Sequence, residues 1–176
     1  SYILSKLNKN SNKFVEIHSF YQFKDESYLV LPYFKQGSIS DLIDCLTKFQ
    51  LLTSKNLLEE TFIIYLSIQL LSNILKLHSL DIVHCDINID NFMLNIDTSN
   101  SSKLSFEDLL LVDFAKSIDL SLYPANTKFH GNFSKNNEYN EYIDSTSFCH
   151  ERDYLGIADI IHRLLFNRSL KIRNSN

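Results

Sequence analysis

The chain has 176 residues, 44% apolar and 12% aromatic, which suffices for one domain with a real core. Its net charge of −4 gives no basic field that would argue for nucleic acid or an anionic membrane as partner. Cys45, Cys85 and Cys149 are odd in number and far apart, without a paired zinc spacing or a disulfide framework, so a reducing intracellular compartment is the simpler reading.

In chain order, Phe14 to His18 alternates as a half-buried strand should, and Lys24 to Ser27 suits a turn. Tyr28 to Leu31 reads as a second, apolar strand of a hairpin, ended by Pro32, which has no N–H for a ladder. Gly37-Ser38 opens a helix, with Asp41 three residues after Ser38 as in a capping box. A longer helix is expected from about Leu58 to His78, with Glu59 and Glu60 at its electropositive start. Gln69, Ser72, Asn73 and Lys76 form its one polar stripe, so it is expected to be a nearly buried central helix. Its most apolar run, Phe62 to Leu77, reads as too short and too polar for a membrane span. No segment reads as a signal or transit peptide.

Ile82-Val83 and Phe92 to Leu94 read as short strands, and Thr98 to Lys103 as a polar insertion. Leu109 to Val112 is expected to be a buried strand, and residues 116–150 mostly irregular, with a long loop around Asn132 to Asn140. Tyr154 to Phe166 reads as a last helix whose apolar side carries Ile157, Ile160, Ile161, Leu164 and Leu165.

The chemistry is concentrated in His84-Cys85-Asp86-Ile87-Asn88-Ile89-Asp90-Asn91 and in Asp113-Phe114-Ala115. Asp86 and Asn91 are five apart in a loop between two short strands, and Asp113 follows an apolar strand. Phosphoryl transfer needs this combination: one aspartate takes or orients the proton of the attacking hydroxyl, while an asparagine and a second aspartate hold metal on the nucleotide phosphates. Magnesium, a hard cation, requires such oxygen ligands. Asp86 is then the base, and Asn91 and Asp113 the metal ligands for Mg2+ and ATP. The bland alternative is a pair of Asx-rich turns that only satisfy backbone groups. His84 reads as a core histidine beside the loop.

These residues resemble the Bub family of spindle-checkpoint protein kinases (budding uninhibited by benzimidazole) and its pseudokinase relatives. The resemblance rests on Ile82 to Ile87 with Asp90 to Leu94, on Leu111 to Leu120 with its Ser117-Ile118-Asp119-Leu120 tail, on Leu122-Tyr123-Pro124, and on Asp153 to Asp159 with Leu164 to Phe166. It covers about residues 14–172.

What the resemblance implies is an α+β protein-kinase-like fold, mostly the helical C-terminal lobe with the last strands and hinge of the N-terminal lobe, and truncated. Residues 1–31 would be the N-lobe remnant, 32–37 the hinge and 38–176 the C-lobe without its last helices. Tyr28 to Gly37 resembles a kinase hinge, with Leu31 as gatekeeper and Pro32, Tyr33 and Phe34 as adenine contacts; an ordinary strand-to-helix connection is the competing reading. Asp153 would accept hydrogen bonds from the catalytic-loop backbone, and a helix-capping acid is the alternative. The implied function is serine/threonine phosphorylation in the mitotic spindle checkpoint, with ATP and Mg2+, on protein substrates and with checkpoint and kinetochore partners in the nucleus.

The departures from the family pattern fall inside the site. Asn88, among the catalytic positions, stands where active kinases keep a lysine, and removing that charge is expected to raise the barrier. Cys85 replaces the usual arginine, so activation by loop phosphorylation is not implied. Ala115 replaces a glycine. A Gly-rich loop, strand lysine and helix glutamate are not found, and only Tyr2 to Leu7 matches the tail of that helix. The chain alone is expected to hold nucleotide poorly, as a fragment or reduced product. The alternatives are therefore a kinase, a pseudokinase acting as an interaction module, and a small-molecule phosphotransferase, against which the Ser117 to Leu120 tail and the hinge both argue.

Overall fold

The computed structural model describes residues 2–8, 14–49, 51, 58–97, 105–130 and 148–170. The expected insertion at Thr98 to Lys103 and the loop around Asn132 to Asn140 lie outside these residues.

Helix α1 (Tyr2–Asn8) buries Leu4 and Leu7 in the main core. The expected hairpin is present, but its ladder lies later than the alternation of Phe14 to His18 suggested. Strand β1 (Ser19–Gln22) pairs antiparallel with β2 (Ser27–Val30), closed by Phe23 N–H on the Glu26 carbonyl. Phe14 instead makes a parallel bridge to Leu111 and is buried with Val15. An apolar pair that reads as strand is thus drawn into the core as a single bridge. β2, read as an apolar strand, has Tyr28, Leu29 and Val30 exposed.

Pro32 stands two residues after the end of β2, outside the ladder, as its missing donor requires. The linker turns through Gly37 N–H on the Phe34 carbonyl, with Gly37 at φ 74°, a left-handed conformation that glycine adopts without cost. Helix α2 (Ile39–Lys48) then starts on a complete capping box: the Ser38 hydroxyl accepts from Asp41 N–H, and the Asp41 carboxylate accepts from Ser38 N–H at 2.7 Å.

Helix α3 (Glu60–His78) is 19 residues long and packs against α4 (Glu151–Phe166), β5 (Ser105–Leu111) and β3 (Ile82–Val83). Its burial corrects two expectations. Ile63, Leu66, Leu70, Ile74 and Leu77 are buried, but Ile64, Ile68, Leu71 and Leu75 form an exposed apolar stripe at helical spacing. Asn73, assigned to the polar stripe, is fully buried and donates to the Leu109 carbonyl at 2.9 Å, tying α3 to β5. By length and composition α3 is also apolar enough to cross a membrane, contrary to the reading of Phe62 to Leu77. Its inward face is nonetheless packed on β5 and α4, as a core helix requires.

The remaining strands form two small antiparallel sheets. β4 (Phe92–Asp97) pairs with β5, Phe92 opposite Leu111 and Leu94 opposite Leu109, with an irregularity after Asn95. β3 pairs with β6 (Ile118–Asp119). Short 3-10 turns at Ile89–Asn91, Phe114–Lys116 and Leu120–Leu122 join them. α4 begins three residues before the expected Tyr154 and buries Ile157, Ile160 and Leu164 as its pattern required.

Candidate functional site

The loop from His84 to Asn91 leaves β3 and enters β4 through a 3-10 turn. Asn88 caps that turn: its side-chain oxygen accepts from Asp90 N–H at 2.9 Å and its NH2 donates to the Asp86 carbonyl at 3.1 Å. Asn91 also donates to the Asp86 carbonyl, at 2.9 Å. Asp86, Asn88 and Asn91 are thereby drawn together around one backbone carbonyl. Because its NH2 is used, the amide oxygen is what Asn91 has to offer a cation.

Asp113 reaches the same place from β5. Val112 N–H donates to the Asn91 carbonyl at 3.0 Å, and the His84 ring donates from Nε2 to the Val112 carbonyl at 2.9 Å. Asp113 itself is left-handed, φ 59° and ψ 67°, and its carboxylate accepts from Ala115 N–H. This reverses the chain and starts the turn at Phe114. Lys116, at the end of that turn, sets its Nζ 2.9 Å from Asp86 Oδ2. Ser117 fixes the return by donating to the His84 carbonyl at 3.2 Å.

The loop is held from behind by α4. The buried Asp153 carboxylate accepts from His84 N–H and Cys85 N–H, both at 2.9 Å, and stands 2.8 Å from His78 Nε2. Arg152 Nε donates to the Cys85 carbonyl at 2.7 Å. The expected anchoring role of Asp153 is therefore present in the geometry. Burial pushes the Cys85 thiol up to about 12, with the Asp153 charge adding to it. Burial likewise lowers the basicity of the His84 ring, outweighing the nearby carboxylates.

A cleft of about 600 Å³ opens between α1, the hairpin and Asp113. Leu31, Val15, Leu29, Val112, Asp113 and Ala115 are among its lining residues. Leu31 and Asp113 thus share one cavity, whereas Pro32, Tyr33 and Phe34 do not line it; Tyr33 is 89% exposed and Phe34 packs on the core. Asn91 is tied to the cleft lining by its carbonyl, which accepts from Val112 N–H, and Asp86 is tied to Asn91 in turn. Among the described residues no cluster of three or more His, Cys, Asp or Glu could cage a metal. Two oxygen donors, Asp113 and Asn91, suit a cation such as magnesium that keeps waters and shares substrate phosphates.

A loop aspartate and asparagine joined at one carbonyl, a second aspartate beside them and an anchoring acid beneath form one arrangement. The protein kinase domain sequence pattern matches residues 1–174. The chain belongs to the protein kinase domain family. Among its relatives, the spindle assembly checkpoint serine/threonine-protein kinase bub1 of Schizosaccharomyces pombe is 29% identical over 94% of this chain. The mitotic checkpoint serine/threonine-protein kinases BUB1 of Mus musculus and Arabidopsis thaliana are 27% and 28% identical over 92% and 85% of it. These alignments span 17%, 15% and 30% of the relatives' own lengths. The crystal structure of the BubR1 kinase domain superposes with a TM-score of 0.79 at 23% identity, over 99% of this chain and 53% of that one. The kinase-like fold and the resemblance to Bub-family kinases are therefore borne out.

Sequence reasoning missed the contacts that Lys116, Arg152 and Gly156 make with this loop. Arg152 could have been suspected from its place beside Asp153. Gly156 packs its backbone on Ile87 of the His84–Asn91 loop. Lys116 carried no signal, because only the turn after Asp113 brings it 30 residues back to Asp86.

Proposed function

We propose that this chain forms part of a serine/threonine protein kinase of the mitotic spindle checkpoint, acting on protein hydroxyls with ATP and Mg2+. The observation that carries the proposal is the convergence of Asp86, Asn91 and Asp113 beside a cleft that Leu31 lines. The similarity to checkpoint kinases supports the substrate class, checkpoint and kinetochore partners and a nuclear location. In this reading residues 1–31 belong to the N-lobe, 32–37 to the hinge and 38–176 to the C-lobe.

In the reaction, the substrate hydroxyl oxygen forms a bond to the γ-phosphorus as the bond to the β,γ-bridging oxygen breaks. ADP leaves with that electron pair, and Asp86 takes the hydroxyl proton. Bound magnesium would neutralise phosphate charge, held by Asp113 and Asn91. Leu31, which lines the cleft, would meet the adenine, while Pro32, Tyr33 and Phe34 would serve as the linker beyond it. The neutral Asn88 and the replacement of arginine by Cys85 favour a second reading, a pseudokinase that serves as a checkpoint interaction module.

Thermal unfolding of the protein carrying this chain, with ATP and Mg2+, separates the two. At a hundredfold excess over Kd, bound nucleotide adds about 2.7 kcal/mol to stability. We expect that gain in the wild type and its loss in Asp113→Asn. Asp86→Asn should still bind nucleotide but lose at least about a hundredfold in phosphoryl transfer. Absence of any shift in the wild type would leave the interaction module.

A further inference from the structure

We propose that Lys116 is the cation of this catalytic loop, carrying out from the far side of Asp86 the charge-stabilising role that Asn88 lacks the charge to perform. The inference rests on the phosphoryl-transfer reading above.

Three observations converge on it. First, Asn88 is neutral and engaged at both ends of its amide, with Asp90 N–H and the Asp86 carbonyl, so it serves the loop's shape. Second, Lys116 Nζ lies 2.9 Å from Asp86 Oδ2, and among the described residues it is the lysine that reaches this carboxylate. Lys6 is held by Asp119 and Lys128 by Glu151. Third, its backbone is placed by two fixed devices, the left-handed cap at Asp113 and the bond from Ser117 to the His84 carbonyl. A lysine three residues after Asp113, with its ammonium on the Asp86 carboxylate, puts a positive charge beside the base.

The pair is a poor stability device. Its side chains are 40% and 26% exposed, and ion pairs so exposed contribute little to folding. The same exposure leaves the flexible lysine stem able to follow a charge appearing beside Asp86. With Oδ2 held by Lys116, the other oxygen of Asp86 is the one that takes the hydroxyl proton. The ammonium would then offset charge on the transferring phosphoryl group. No proton or electron pair moves to Lys116; the balance is that given above.

The test relocates the charge. Phosphoryl transfer is measured for the wild type, Lys116→Ala, Lys116→Arg, Asn88→Ala and the double variant Asn88→Lys/Lys116→Ala, with melting temperatures alongside. Lys116→Ala should lower kcat about a hundredfold, the cost of removing one charge-stabilising donor, with nucleotide KM little changed. Lys116→Arg should keep part of the rate, and the double variant should recover most of it, which a merely structural lysine would not permit. Should Lys116→Ala unfold, Lys116→Gln is read in its place. An unchanged kcat in Lys116→Ala overturns the proposal. So does a double variant as slow as Lys116→Ala when Asn88→Ala remains active. Absence of transfer in the wild type overturns the kinase reading itself, and the role of Lys116 with it.

Discussion

Cys85 holds a left-handed backbone, φ 67°, a conformation that costs a residue with a Cβ about 1–2 kcal/mol. The cost is met by groups from α4: Asp153 accepts its N–H, and Arg152 Nε donates to its carbonyl. This strain turns the chain so that Asp86 faces outward while His84 and Cys85 are buried. The thiol pays for its place in acidity, raised by burial to about 12. Since the thiolate is the nucleophile, Cys85 should be inert at pH 8 while the exposed Cys45 reacts. Mass spectrometry after brief alkylation should find label on Cys45 and none on Cys85, and label on both once the protein is unfolded. Labelling of Cys85 as fast as Cys45 in the native protein would contradict the burial.

At the scale of elements, α4 acts as the loop's floor, and Gly156 sets how close it comes. A Cβ at Gly156 would lie 2.5 Å from the Ile87 carbonyl oxygen and 2.6 Å from the Ile87 Cβ. Alanine is the better helix former by about 1 kcal/mol. Overpacking costs about 1–3 kcal/mol, and backbone cannot swing aside as a side-chain tip can. Gly156→Ala should therefore destabilise the protein by about 1 kcal/mol or more and speed amide exchange over His84 to Asn88. A melting temperature above wild type would show that the helix moves freely. Elements such as α2, α3 and α4 were legible because their capping and apolar spacing are local properties. The exposed stripe of Ile64, Ile68, Leu71 and Leu75 was not, since hydropathy gives the sum over a helix and not which side meets β5. Phe14 and Val15 misled for a related reason: two apolar residues fit a strand and a single core bridge equally well.

Across the whole molecule, the spacing of Asp86 and Asn91 could be read because five residues of one loop fix it. The partners His84–Val112 and Lys116–Asp86 come from distant segments and needed the fold, whereas the bond from the loop backbone to Asp153 was expected from the family resemblance. The same buried links predict how the protein responds to acid. His84 is fully buried with Nε2–H on the Val112 carbonyl, and its Nδ1 accepts from Asp86 N–H at 3.3 Å. Protonation would set a second donor against Asp86 N–H, so the folded ring resists charging, burial being the largest cause. The His150 ring is held low in the same direction, by burial and then by His78. Below the usual histidine value of 6.5 the unfolded chain takes up protons that the folded chain refuses, so stability falls as pH drops through that value. The carboxylates act lower down. Glu151, drawn to about 2 by Lys128, and Asp41, lowered by Ser38, hold stability that is lost only as pH falls below their unfolded values near 4. Acid destabilisation should therefore come in two limbs. In denaturant titrations the midpoint should already fall between pH 7.5 and 5.5, and His84→Gln should lower overall stability while flattening that upper limb. A midpoint constant across this range in the wild type would mean that His84 charges freely and that the link from the His84–Asn91 loop to Val112 opens in solution.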